Sequence, residues 1–500
     1  MKRIFTIIIY FLSISFAWAT HNRAGEITYR QISDLTYEVT ITTYTYAPSL
    51  ADRCDLEIQW GDGQTSILPR TNGNPGFNPN GQQCDHLGVL VGTDIKMNKY
   101  IGRHTYAAPS TYIIALEDPN RNSGVVNIPN SVNIPFYIET VLVINPFLGP
   151  VNSPVLLNPP IDNACVGKPF VHNPGAYDAD GDSLAYKLII CKGQSGQDIP
   201  GYSYPQTSKT FSLNPITGDL LWDSPVLQGE YNVAILITAW RHGIMVSSII
   251  RDMQITVAAC DNHPPVIKTI ADTCILAGTS LTFKVTATDQ DGDNITLTGT
   301  GGPFEIKDNS ADFPQPVHGY FTVYSIFTWQ TTCEHITKYP WQVLFRAADN
   351  GKPVSLVALK TVNIKVVAPP LKNLTATPIG NTILLKWDKS QCSNVEGYKI
   401  YRNNECKQLQ VSNCQTGLPP NSGYFLIGQT NSYSDTTYTD NNGGIGLQHG
   451  VVYSYIVTSY NSDGSESVIS DQACQSLIKD VPVITNVSIT STDNNNLSFS

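Results

Sequence analysis

The chain has 500 residues, a formal net charge of −10 and a pI near 5.3. That balance excludes a nucleic-acid partner, which needs a basic face, and the length exceeds one ordinary domain and suits roughly three to five. Charged residues are only 14% while Gly, Pro, Asn, Thr and Tyr abound, and short apolar alternations recur between turn residues with no sustained helical period, so an all-β protein is predicted.

Residues 1–19, MKRIFTIIIYFLSISFAWA, read as a secretory signal peptide: Lys2 and Arg3, an apolar run from Ile4 to Phe16, then Ala17-Trp18-Ala19 as a small-x-small cleavage site. No cysteine follows the cleavage point, which argues against a lipoprotein anchor, and no other apolar run is long enough to span a bilayer. The expected compartment is oxidising, so the eleven cysteines read as disulfides. Pairing neighbours in sequence gives Cys54–Cys84, Cys165–Cys191, Cys274–Cys333 and Cys406–Cys414, although sequence alone leaves the connectivity open and an odd count leaves one thiol over. There is no CxxC and no His/Cys cluster at zinc-ligand spacing.

Residues 20–148 form the first expected unit. Tyr37, Val39 and Ile41 alternate with polar residues, DLEIQWGDGQ follows at 55–64, and HTYAAPSTYIIALED at 104–118. The two motifs, in this order, resemble a polycystic-kidney-disease-type (PKD) domain: Trp60-Gly61-Asp62-Gly63 match its turn, and His104, Thr105, Tyr106, Pro109, Thr111 and Tyr112 its second part. Ser110 stands where the family usually has Gly. The resemblance implies a β-sandwich with Trp60 and Tyr112 in the core, and makes His104 beside Asp62 a family strand position in preference to a catalytic pair.

Residues 149–260 and 261–368 read as two copies of one design. Each opens on a Pro-rich linker, runs a strand into a DxDGD stretch (Asp178–Asp182 and Asp289–Asp293, starting 289 − 178 = 111 positions apart) and closes on paired strands. With FSLNPITGDLLWDSP at 211–225, the pattern resembles bacterial cadherin-like domains. Residues 369–479 resemble a fibronectin type III domain, with Trp387 on ILLKWD, Tyr398 and Tyr401 on GYKIYR, and Leu447 and Tyr453 at tyrosine-corner spacing. Residues 480–500 read as the start of a further such domain, so the protein is expected to continue past Ser500. The architecture these resemblances imply is a tandem, elongated array of immunoglobulin-like β-sandwiches.

The two carboxylate triplets carry the only chemistry the sequence suggests. Calcium takes six to eight hard oxygens from a loop able to wrap it, and Asp289, Asp291 and Asp293 supply three around Gly292. The late A-x-D-x-G of the cadherin-like pattern adds Asp349. In the first copy Asp178, Asp180 and Asp182 are present, but Arg241 occupies the late acidic position and brings its own cation. Calcium is therefore expected at Asp289, Asp291, Asp293 and Asp349 ahead of the first loop. The competing reading makes both loops Asx turns capped by their own carboxylates.

No Walker loop, dinucleotide fingerprint, HExxH or GxSxG elbow occurs, and no catalytic or organic-cofactor site is predicted. The whole array resembles large secreted surface proteins of gliding Bacteroidetes, cargo of type IX secretion. That resemblance implies a non-catalytic structural or adhesion protein at the outer surface, with an extracellular protein or polysaccharide as ligand. The alternatives are the accessory region of a larger secreted hydrolase and a carbohydrate-binding array with Trp222, Trp240, Trp329 and Trp341 as stacking platforms.

Overall fold

The computed structural model describes residues 22–477 except 93, 410 and 413, with the backbone of Val487–Ile489 and Leu497–Phe499. The expected signal peptide lies outside the described residues, as does most of 480–500. The described chain is all-β: its helix is confined to the turn Gly302–Glu305 and a few 3-10 turns. It divides into two compact units, the first comprising residues up to Thr273 with Leu281–Gln330 and Trp341–Ile364, the second Cys274–Ser280, Thr331–Pro340 and everything from Lys365.

In the first unit, alternation produces long paired strands: Asn22–Ser33 pairs with Thr36–Tyr46, and that with Ile95–Thr105, all antiparallel. The apolar face of each alternating strand meets one core, which holds Ile27, Tyr37, Val39, Ile41, Trp60 and Phe136. The expected boundary at 148/149 is crossed by a single sheet. Its link is the 15-residue strand Ile244–Ala258. One edge pairs along its length with Gly229–Arg241, while the other pairs in turn with Phe136–Val143 at Ile249, with Asn22–Ser33 at Met253 and with Ala164–Cys165 at Val257. Val246 completes the core around Trp60, and Met253, Ile255 and Val257 join the core around Trp222 together with Ala24 and Tyr44. The same strand buries two ion pairs, Arg251–Glu26 at 3.0 Å and Arg121–Asp252 at 2.6 Å. Buried charges of this kind stay only because each is paired and hydrogen-bonded: Arg251 also donates to the Asn158 carbonyl at 2.5 Å, and Asn232 donates to Asp252 at 3.0 Å.

Residues 261–364 fold around aromatic rings, with Phe283 stacked on Phe327 at 4.7 Å and edge-on to Phe345 at 5.9 Å. In the second unit, Thr375–Ile379, Thr382–Lys386 and Thr437–Asp440 form one sheet and Phe425–Gln429, Gly397–Asn403, Val452–Tyr460 and Ala473–Ser476 the other. Trp387 and Tyr398 meet edge-on in its core at 5.5 Å, and the Gln448 amide donates to the Tyr453 hydroxyl at 3.0 Å, which closes the expected tyrosine corner.

Ten cysteines are paired. Cys54–Cys84 forms as expected. The other expected pairs do not: Cys165 joins Cys260, Cys274 joins Cys414, Cys333 joins Cys392 and Cys406 joins Cys474, while Cys191 is a buried free thiol. One of these pairs, Cys165–Cys260, follows directly from a strand pairing. The short strand Ala164–Cys165 runs parallel to the end of Ile244–Ala258, which delivers Cys165 to Cys260 and leaves Cys191 inside a core with Ile128, Ile199 and Ile250.

Candidate metal centres

Both DxDGD stretches fold into the same turn. In the first, Asp178 Oδ1 accepts the N–H of Asp180 at 2.9 Å and of Asp182 at 3.2 Å, and Gly181 takes φ 80°, a conformation that favours glycine. In the second, Asp289 Oδ1 accepts from Asp291 at 2.8 Å and Asp293 at 3.1 Å, with Gly292 at φ 82°. The Asx turn is therefore present in each copy, and it engages only one oxygen of the leading aspartate. The other, Oδ2 of Asp178 and of Asp289, is buried with no hydrogen-bond partner. A buried, unpartnered carboxylate oxygen is costly and points to a missing cation or proton.

In the first copy the cation is built in. Arg241 Nε donates to Asp182 at 2.7 Å, its NH2 group to Asp182 at 2.8 Å and to Asp180 at 3.2 Å, and its NH1 group to the carbonyls of Leu148 and Pro150 at 2.7 Å each. The guanidinium is held by the carboxylates of Asp180 and Asp182 and by two carbonyls, not by Asp178. Asp178 lies behind this arrangement; burial, then the charge of Asp182, pushes its carboxyl up to about 7.

In the second copy Asp349 takes the late position. Carboxylate oxygens of Asp289, Asp293 and Asp349 lie within 4.8 Å of one another, with Asp289 and Asp349 buried. Asp349 Oδ1 accepts from the amides of Gly351 at 3.0 Å and Leu356 at 2.8 Å, and Oδ2 from the Asn262 side chain at 3.0 Å. Burial raises both Asp349 and Asp293, the latter further through the charges of Asp289 and Asp291. Among the described residues no lysine or arginine forms an ion pair with the three. This donor set fits a hard divalent cation: Asp289, Asp293 and Asp349 would hold it, with the partnerless Asp289 oxygen supplying what the turn leaves over.

Asp291, expected as a ligand, is placed elsewhere. It accepts from the His263 amide at 2.7 Å and lies 3.1 Å from that residue's Nδ1. The first copy repeats the contact: Asp180 accepts from the Asn152 amide at 2.7 Å. The middle aspartate of each loop thus fastens the preceding linker, 28 residues upstream in both copies. Asn262 and His263 were not singled out from sequence, although His263 stands at the same 111-residue offset from Asn152 as the loops from each other (263 − 152). Asn262 carries a further buried oxygen without a partner.

The His104–Asp62 pair, 2.7 Å apart, is structural. The imidazole stacks on Trp60 at 4.7 Å and meets Tyr106 edge-on, while Asp62 Oδ1 accepts the Gln64 amide of the turn. Trp222 and Trp329 are 0% and 1% exposed, which removes them from any sugar-stacking platform.

No family model and no curated protein matches the chain. Among solved structures it is similar to a two-domain fibronectin type III segment of chicken tenascin, at 12% identity over 43% of this chain and 99% of that one with a TM-score of 0.22. It is also similar to a three-domain Ig segment of titin, at 10% identity, 65% and 96% coverage and a TM-score of 0.20, and to tandem Ig repeats of Dlar, at 14% identity, 43% and 95% coverage and a TM-score of 0.19. Such scores carry no weight for function, and the fold rests on the strands and cores described above.

Proposed function

We propose that the chain is a non-catalytic, extracellular structural and adhesion protein, a stalk of β-sandwiches whose third module is braced by calcium at Asp289, Asp293 and Asp349. The observation that carries the reading is the set of five disulfides closing around these sandwiches; such bonds persist in oxidising compartments and stabilise modules that must survive outside the cell. Among the described residues no helix is long and apolar enough to cross a membrane. The resemblance to surface proteins of gliding Bacteroidetes extends the reading to the outer face of the cell and to type IX secretion. Protease shaving of intact cells, followed by non-reducing peptide mapping, tests it. Surface-derived peptides bearing Cys165–Cys260 and Cys274–Cys414 are expected. A chain retained inside the cell with its thiols free would overturn the proposal.

A further inference from the structure

A cavity of about 550 Å³ lies within the second unit, lined by the loop Thr416–Tyr424 and by Lys338, Lys365, Tyr401 and Glu466. This is the size range of small-ligand sites. Its ionisable groups are unequally satisfied. Glu466 is fully engaged: Lys399 donates to it at 2.6 Å, the Thr458 hydroxyl at 2.9 Å and the Tyr401 hydroxyl at 3.1 Å. Lys365 donates to the carbonyls of Thr337, at 2.6 Å, and Lys338, and among the described residues no carboxylate lies within ion-pair distance of its ammonium. The nearby Asp463 is occupied by the amides of Lys338 and Ser465. Burial depresses Lys365 to about 8, the charge of Asp463 offsetting this in part and that of Lys338 adding to it. Lys338 is exposed at the same cavity. In a chain of net charge −10, the cavity thus gathers Lys338 and Lys365, while Glu466 is engaged by Lys399 and Asp463 by backbone amides.

The remaining lining combines hydroxyl and amide residues (Thr416, Ser422, Ser465, Asn421) with Pro419 and Pro420. Sugar rings likewise combine hydroxyls with apolar C–H faces, whereas an acidic peptide would ask for backbone partners along an extended edge. We propose that this cavity binds an acidic sugar of the uronate type, its carboxylate received by Lys338 and Lys365 and its ring laid against the proline-bearing loop. The assignment rests on the adhesion reading and gives that reading a ligand class.

Isothermal titration of the full mature chain with trigalacturonate, neutral galactotriose and triglutamate tests it. Saturable binding of trigalacturonate alone is expected. Lys365→Gln and Lys338→Gln should each weaken it roughly tenfold, the loss of one charge-assisted contact, and Lys187→Gln in the first unit should leave it unchanged. Lys338→Gln alters an exposed side chain, so it decides the matter if Lys365→Gln fails to fold. Absence of trigalacturonate binding, equal binding of the neutral sugar or of triglutamate, or indifference to both cavity variants overturns the proposal. Absence of binding leaves the surface and disulfide reading standing, while release of shorter uronates would sink its non-catalytic part.

Discussion

The two DxDGD loops fold alike and are neutralised differently. In each, the first aspartate caps the turn with one oxygen and buries the other, and the third aspartate faces the late position of the domain. At that position the first copy places Arg241, 2.7 Å from Asp182, and the second places Asp349, within 4.8 Å of Asp289 and Asp293. One side chain separates a loop that carries its own cation from one whose three carboxylates have no cationic side chain paired with them among the described residues, the loop proposed to take calcium. The turn motif is common to both loops, and what distinguishes them is the residue contributed at the end of the distant strand.

The strongest way to break this comparison is calcium itself. A cation bound only by the folded state stabilises it by about 2.7 kcal/mol at a hundredfold excess over Kd. Hydrogen exchange in the full chain should slow across Asn294–Gly301 on replacing chelator with calcium, and Ser183–Ile189 should not respond. Asp289→Asn and Asp349→Asn should abolish the effect, Arg241→Asp should confer it on the first loop, and Asp349→Arg should remove it from the second. Equal exchange in calcium and chelator at both loops would leave two turns and no metal.

Removing the built-in cation comes next. Arg241→Ala strands Asp180 and Asp182 beside Asp178. It should destabilise the first loop by about 2 kcal/mol, below the range for fully buried pairs because the guanidinium is partly open to water. Faster exchange over Ser183–Ile189, unaltered by calcium, is the expected reading; unchanged exchange would mean the ion pair contributes nothing.

A pH scan separates the loops further. The folded-state value of Asp178 is raised to about 7 from 3.8. The folded form thus holds its proton more tightly, and the associated stability is present below pH 4 and lost as pH rises through about 7. Asp178→Asn keeps the turn acceptor and cannot ionise. It should flatten this slope and protect Ser183–Ile189 at pH 8 by about 1 kcal/mol relative to the native chain. A variant as pH-sensitive as its parent would refute the assignment.

The smallest effect belongs to Asp291→Asn. Since Asp291 contacts His263 and not the carboxylate cluster, calcium protection should survive the change, in contrast with Asp349→Asn. Loss of calcium protection in both variants would return Asp291 to the ligand set.

Much of this was legible in the sequence because it is local. A five-residue DxDGD spacing encodes an Asx turn in its own backbone, the GDG turn joins two consecutive antiparallel strands, and a late Arg or Asp stands at a fixed place in its repeat. What escaped depends on pairings with no local signature. Residues 229–258 read as an ordinary closing hairpin, and nothing in their alternation shows that the outer edge meets Asn22–Ser33 and Phe136–Val143. Neighbouring cysteines in sequence suggest local bonds, whereas the partners stand 95 and 140 residues apart, the first pair brought together by the parallel pairing of Ala164–Cys165 with Ile244–Ala258. The role of Asn262 and His263 was hidden in a linker, and the cavity is built by side chains as far apart in sequence as Lys338 and Glu466.

The strand Ile244–Ala258 also sets a timetable. A chain that emerges from the ribosome or a translocation channel N-terminus first has synthesised Phe136–Val143 long before the strand that lies against it. Until Ala258 is out, Asn22–Ser33 has one edge uncovered, Glu26 lacks Arg251 and Arg121 lacks Asp252. An unfinished sheet edge with buried-type charges exposed to water is open to mispairing. The first module therefore cannot mature by itself. Its sheet is complete only after more than a hundred further residues have followed it, and a frameshift anywhere between 148 and 244 would leave both halves of the sheet without their shared strand.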